Sequence, residues 1–255
     1  LAAEFRDVEV IALPQNRGFA YAADRGAREG SEPLLLLLNP DIEVTENTVG
    51  ELHTSLRSDP RFAGAVPLLE GFDGVSQHRW QLRRLPSTAR LALGLPGAPA
   101  FSSPPRAPVT VAQPAAAAWL VRRTVWEALG GLDPTYEPAW WEDVDFCARL
   151  RDRLGDPEFP ADKGFLLQPR ATCLHGGGSS VAALGREAFF TAYYTNLLRY
   201  TARHHPGRLS LIRKGLELSL CLRMVLRPNQ RTAYRAALDA TRGRSIKNPF
   251  EQRPR

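Results

Sequence analysis

Cysteine is scarce in this chain of 255 residues. There are three, Cys147, Cys173 and Cys221, far apart and odd in number, with no Cys-x-x-Cys pair. That argues against a disulfide framework and a thiolate zinc site, and it predicts free thiols in a reducing compartment. Long apolar runs are missing too. No stretch of about 18 uncharged apolar residues occurs, so no transmembrane helix is expected, and no signal peptide is visible. Lysine is nearly absent: of 33 basic residues only Lys163, Lys214 and Lys247 are Lys, which reads as a GC-rich coding sequence more than a recognition code. The chain opens on Leu1 and runs straight into strand-like sequence, so the expectation is a fold whose first elements lie upstream.

What is present is unevenly charged. Residues 181–255 hold 15 Lys/Arg against 4 Asp/Glu, while residues 1–180 hold 18 against 23. An acidic body with a basic tail points to an anionic surface touched by one end. It argues against nucleic acid, for which no motif appears. Hydrophobic content of 44% supports a sizeable core.

Along the chain, "VEVIAL" (8–13) reads as a short strand and "NRGFAYAADRGAREG" (16–30) as a glycine-bearing loop entering an Ala-rich helix. "PLLLLLNPDIEV" (33–44) is apolar at every position before Asn-Pro-Asp, the pattern of a central parallel strand buried on both faces. Together these make a βαβ unit. Residues 45–59 read as a second helix with Thr45 as N-cap. Residues 71–114, rich in Pro, Gly and Ser, lack a period and read as a long irregular excursion. Order resumes at 115–123, followed by a short helix ended by Gly130-Gly131, and "FLLQPRATCLH" (165–175) is strand-like. From 186 the pattern is helical, with Phe190, Tyr193, Tyr194, Leu197 and Leu198 on one face. Residues 208–228 mix apolar and basic positions. Their stripe 209, 212, 216, 220 suits a helix lying in a lipid headgroup plane, or one packed on the body with its charges in water.

Three constellations carry chemistry. In "WWEDVDFCARLRDRLG" (140–155), a helix would place Asp143 at the head of an apolar stripe with Cys147, Leu150 and Leu154. Asp145 would point away into an i,i+4 pair with Arg149, and Glu142 would sit on the flank. Capping explains acids in a first turn; it does not explain an inward one, which needs a partner or a wet cleft. Asn39-Pro40-Asp41 ends the leucine strand, where α/β sheets bind ligands and where a hard acid meets a phosphate-bound cation; a plain turn reads equally well. His175 follows a strand and precedes "GGGSS", a setting for a metal ligand or for backbone groups approaching phosphate, as well as for a structural histidine.

In their order and spacing, "NRGFAYAADRG", "LLLLLNPD", "AAAAWLVRRTVWEALGGLDPTYEPAWWEDVDFCARLR", "LHGGGSS" and "YYTNLLRYTARHHPG" resemble the family 2 inverting glycosyltransferases of the GT-A fold, above all rhamnosyltransferase-like members. The resemblance spans roughly residues 8–245 and departs from the family pattern at Asp24 and Ala116. It implies a catalytic base at Asp143 with Glu142 as acidic neighbour. It implies donor binding by Asn16, Gly18, Asn39 and Asp41, with Asp41 and His175 at a Mg²⁺ or Mn²⁺ ion. Trp140 and Trp141 would meet the acceptor or, equally, belong to the core.

The expected fold is therefore α/β: a GT-A, Rossmann-like nucleotide-sugar fold lacking its first βα elements (1–180), with a basic helical extension (181–255). The expected activity is bacterial, in cell-wall polysaccharide synthesis: transfer of a sugar, rhamnose first among them, from dTDP-rhamnose or a UDP-sugar to a lipid-linked or polysaccharide acceptor. The setting would be cytoplasmic, with peripheral contact at the inner face of the membrane. The alternative is a truncated, non-catalytic carbohydrate- or nucleotide-binding remnant.

Overall fold

The computed structural model describes residues 7–177 and 184–243. Six strands form one mixed sheet in the order β1 (Leu34–Leu38), β7 (Ala118–Arg122), β3 (Phe62–Glu70), β8 (Lys163–His175), β2 (Ile42–Val44), with β5 (Val109–Val111) also on β8. Only the β3–β8 pairing is parallel; β1–β7, β3–β7, β2–β8 and β5–β8 are antiparallel. A two-stranded ribbon joins β4 (Leu82–Arg83) to β6 (Gln113–Pro114). Helices α1 (Gly18–Ala27), α2 (Thr48–Ser58), α5 (Arg123–Leu129) and α6 (Glu142–Arg153) accompany the sheet, and α3 (His78–Gln81) and α4 (Thr88–Ala92) precede β5. The chain then continues as three helices, α7 (Arg186–His204), α8 (Leu209–Leu226) and α9 (Arg231–Thr241). The result is a Rossmann-like α/β sheet with a C-terminal helical extension.

Trp119 anchors the core, its ring 5.5 Å from Phe146 of α6 and 4.5 Å from Phe165 of β8. The extension has a core of its own around Tyr194, Leu197, Ile212, Leu216 and Tyr234. That core is shared with the body, because Trp141, Val144 and Ala148 pack into it. The expected boundary at 180/181, like Gly178, Ser179 and Ser180 of the glycine-serine run, lies outside the described residues.

Several local expectations give way. Residues 8–13 form no strand: Val8 and Val10 are exposed, and a strand needs a neighbour to pair with. The leucine run is not central and parallel. It lies at one end of the sheet, antiparallel to β7, with Leu36 and Leu38 exposed on one face. Helix α2 begins after Asn47, not Thr45, whose hydroxyl instead donates to Thr172 O at 3.0 Å. Residues 71–114 are far from irregular. They carry α3, β4, α4, β5 and β6, and Gln81, Leu82, Leu91 and Gln113 are buried. The side chain of Gln81 acts as a strand extension, accepting from Leu69 N at 2.9 Å and donating to Pro67 O at 2.6 Å. The 212, 216, 220 stripe of α8 turns inward and is fully buried, so it cannot face lipid. Among the described residues no helix is long and apolar enough to cross a membrane.

Candidate active site

Each wall of the site follows from local sequence. Asn16 Oδ1 accepts from Gly18 N at 3.0 Å and so closes the entry to α1. Gly18 has φ +83°, and a Cβ there would collide with Pro138 O; glycine is required for α1 to abut the 137–141 loop. Phe19 N then donates to Pro138 O at 3.2 Å.

The loop itself is bent hard. Trp140 (φ 72°) and Trp141 (φ 81°) both occupy the left-handed region, which costs bulky residues about 1–3 kcal/mol each. A fully buried side chain of the helical extension holds them there. The Asn196 amide of α7 lies 3.2, 3.0 and 3.2 Å from the carbonyls of Glu137, Ala139 and Trp140. Trp141 is 2% exposed and packed between Tyr193 (5.5 Å) and Tyr200 (5.3 Å), and it too lines the cleft. Trp140 is half-buried, edge-on to Phe189, and faces the cleft.

This loop delivers three acids into the first turn of α6, and the fold gives each a different environment. Asp143 is half-buried at a cleft of about 220 Å³ whose lining also includes Asn39, Trp80, Arg83, Trp140 and Tyr193. Its Oδ2 accepts from Gln113 Nε2 at 3.1 Å and its Oδ1 from Val144 N at 2.8 Å. Burial raises its pKa, opposed by the Val144 amide, the Arg83 charge and the Ala116 amide. Glu142 lines the same cleft and its Oε2 is buried without a hydrogen-bond partner. Burial, then repulsion from Asp143, pushes its pKa well above the usual carboxylate range. Burial thus raises both adjacent carboxyls, Glu142 further than Asp143, whose donors offset part of the cost.

Asp145 does not point away. It is fully buried and joins α6 to the extension: Arg149 Nε donates at 2.7 Å, His204 Nε2 lies at 2.8 Å, Tyr136 OH at 3.2 Å and Arg203 Nη1 at 3.4 Å. The expected pair with Arg149 is present, but inside the protein rather than on a solvated face.

On the other side, Asn39 and Pro40 line the cleft and Asp41 follows them. Asp41 Oδ1 lies 3.6 Å from His175 Nε2, a pairing made by β2 running antiparallel to the end of β8. Gln77 fixes the histidine. Its Nε2 donates to His175 O at 3.0 Å, so its Oε1 must face the ring, and it accepts from Nδ1–H at 2.7 Å. Nε2 is thereby left toward Asp41, the orientation of a metal-ligating histidine held by a second partner. Trp80 stacks on His175 (5.1 Å, 18°) and also lines the cleft, so the two halves are continuous. Among the described residues no group of three or more metal-ligating side chains occurs. Two ligands plus phosphate oxygens nevertheless suit Mg²⁺ or Mn²⁺, which is commonly held by one or two carboxylates and a substrate phosphate. The sequence reading missed Gln77, Trp80, Arg83, Gln113 and Tyr193. The first four fall in the 71–114 segment that had no periodicity to expose them.

No protein-family model matches the sequence, and no curated protein matches it. Solved structures do. The crystal structure of GalNAc-T7 with UDP, GalNAc and Mn²⁺ aligns over 91% of this chain with a TM-score of 0.54 at 16% identity. The chain spans about half of that protein, 48% of its length. The mannosyltransferase PcManGT from Pyrobaculum calidifontis, in complex with GDP-Man and Mn²⁺, aligns over 96% of this chain and 70% of its own at 13% identity, with a TM-score of 0.47. At 16% identity the likeness to GalNAc-T7 is one of fold, and the fold is GT-A-like.

Proposed function

We propose that this chain is an inverting sugar transferase acting on a nucleotide-sugar, with Asp143 as general base. The observation that carries the reading is the single cleft in which Asp143 and Glu142 face Asn39, next to the Asp41–His175 pair. An acceptor hydroxyl ionises far above neutral pH. A positioned carboxylate that takes its proton during attack typically contributes about 10²–10⁴ in rate. The hydroxyl oxygen bonds to the anomeric carbon as the carbon–diphosphate bond breaks; the electron pair leaves with the diphosphate, and configuration inverts once. Gln113 and the Val144 amide hold Asp143 in place. Glu142, whose pKa burial and Asp143 push upward, resists placing a second charge beside the base. Trp140 presents the aromatic face for the acceptor sugar, and the more deeply buried Trp141 lines the cleft behind it.

Asp41 and His175 are the residues that would hold Mg²⁺ or Mn²⁺. Bound there, the ion would supply positive charge toward the diphosphate, as the Mn²⁺ and UDP of GalNAc-T7 make reasonable for a chain of similar fold. Asn16 and Gly18 shape the cleft through the α1–Pro138 contact, and Asn39 lines it directly. The resemblance in sequence favours family 2 and rhamnose, from dTDP-rhamnose, with UDP-sugars as the alternative, and a lipid-linked or polysaccharide acceptor.

A donor screen with Mn²⁺ tests this: one nucleotide-sugar should be turned over, and Asp143→Asn should abolish turnover while donor affinity persists. A loss below about tenfold would remove Asp143 from the role of base. Donor binding without turnover by the unaltered protein would identify a non-catalytic binding module.

A further inference from the structure

A second pocket, about 620 Å³, opens beside the catalytic cleft, and Pro96 and Tyr193 wall both. Arg186, Arg223 and Arg227 line it, and among the described residues no carboxylate does. The remaining wall is aromatic: Phe190 lies 4.8 Å from Tyr234 and meets Tyr194 edge-on at 6.0 Å. Arg223 is pre-positioned, 6.0 Å over the Tyr234 ring, donating to Leu93 O at 2.9 Å and to Ser219 Oγ at 3.3 Å. Three guanidinium groups around one cavity with no acid in its lining repel one another, and an anion with several oxygens relieves that repulsion.

The surface next to the pocket has the opposite character. The buried stripe of α8 leaves a second apolar face pointing outward. Leu218, Leu222, Val225 and Leu226 are 72%, 56%, 77% and 68% exposed, and three of them flank Arg223 and Arg227 in sequence. Leu93, whose carbonyl holds Arg223, is also exposed. A free anion needs no such surface. An amphiphile with a phosphorylated head and an aliphatic tail uses both, and a helix with basic residues beside an apolar face is suited to an anionic bilayer.

We propose that this pocket binds the phosphorylated head of a lipid-borne acceptor, with the outer face of α8 against the bilayer that carries it. The proposal rests on the sugar-transfer reading, because it lets the acceptor sugar reach past Tyr193 to Asp143 while its phosphate stays on the arginines.

Calorimetry in excess chelator, with geranyl diphosphate, inorganic diphosphate and geraniol as probes, tests the pocket. Geranyl diphosphate should bind, inorganic diphosphate roughly tenfold or more weakly, and geraniol not at all. Arg186→Gln and Arg227→Gln, both at exposed positions, should each weaken geranyl diphosphate about tenfold, with UDP–Mn²⁺ affinity unchanged. Asp41→Ala should do the reverse. Binding that survives both arginine variants, or is lost in Asp41→Ala, overturns the site; equal affinity for inorganic diphosphate overturns its lipid half. Co-sedimentation with phosphatidylglycerol-containing vesicles at low salt should be strong, weak with phosphatidylcholine alone, and lost in the Leu222→Glu/Val225→Glu double variant. Unchanged sedimentation of that variant overturns the bilayer contact. If arginine-dependent binding holds and UDP–Mn²⁺ binding is absent, the pocket stands and the sugar-transfer reading fails.

Discussion

Substitution of Asp145 by alanine removes a wholly buried carboxylate that serves four partners at once. The magnitude follows from what is left behind. Arg149 cannot swing into water, because its Nη1 and Nη2 donate to Leu129 O at 2.5 Å and Gly131 O at 2.9 Å. Arg203 is 45% exposed and keeps Asp133 at 2.8 Å, so its share of the loss is small. His204 is buried and loses its 2.8 Å contact. Removing one member of a buried pair and stranding the other costs about 3–5 kcal/mol, against a total stability of about 5–15 kcal/mol for a typical domain. Asp145→Ala should therefore lower the urea midpoint sharply at unchanged slope. Asp145→Asn, which keeps the shape and one acceptor, should lose less, about 2 kcal/mol. The pH dependence has a definite sign. Burial raises the Asp145 pKa, but hydrogen bonding from His204 and the charge and hydrogen bond of Arg149 outweigh it and hold it below the usual value. The stabilisation is present above the unfolded value near 4 and is lost as pH falls through the lower folded one. The unaltered protein should weaken below about pH 4, and Asp145→Ala should weaken less over the same interval. A loss under about 1 kcal/mol for Asp145→Ala at neutral pH, or identical acid sensitivity, would refute the reasoning.

The other expectations concern the cleft. Glu142 is raised by burial and by Asp143, so the stability tied to its protonated form is lost as pH rises above the usual carboxylate value. Glu142→Gln should stabilise the protein by about 1 kcal/mol at pH 8, read by urea titration; a destabilised variant would mean an ionised, paired Glu142. Asn196→Leu strands three loop carbonyls and should cost about 2–3 kcal/mol, with kcat falling more than donor affinity; an unchanged kcat would free the loop from its dependence on α7. Gln77→Ala should weaken Mn²⁺ binding about 10–100-fold in the presence of nucleotide, followed by the Mn²⁺ spin-resonance signal; unaltered affinity would exclude His175 from the metal.

The parts legible from the sequence are those whose residues answer to neighbours a few positions away. Helix α5 ends at Gly130 and Gly131 because both adopt positive φ, and α6 starts where the acids and the apolar stripe begin. The inward Asp143 and the Asp41 and His175 positions followed from strand ends and helix register. What stayed hidden depends on distant partners. Asp145 looks like a surface acid until His204, 59 residues on, is folded against it. The leucine run is equally apolar at the edge of a sheet and at its centre, so composition could not place it. In α8 both faces are apolar, and only the packing against Leu91 and Tyr194 decides which one is inside. Gln113 and Arg83 sit in short elements whose pairing, two residues long, leaves no period to read.

Helix α7 grips the segment 133–145 at both ends. Asn196 holds residues 137–140, and seven and eight positions later Arg203 and His204 hold Asp133 and Asp145. Two turns of helix therefore act as a ruler that fixes the spacing between the strained loop and the first turn of α6. The same helix lends Tyr193 and Tyr194 to the neighbouring arginine pocket. A ligand in the proposed pocket would therefore rest against the same helix that holds Asp145. The basic extension thus holds the segment that carries Asp143, so trimming it should disturb the proposed base and the proposed docking pocket together.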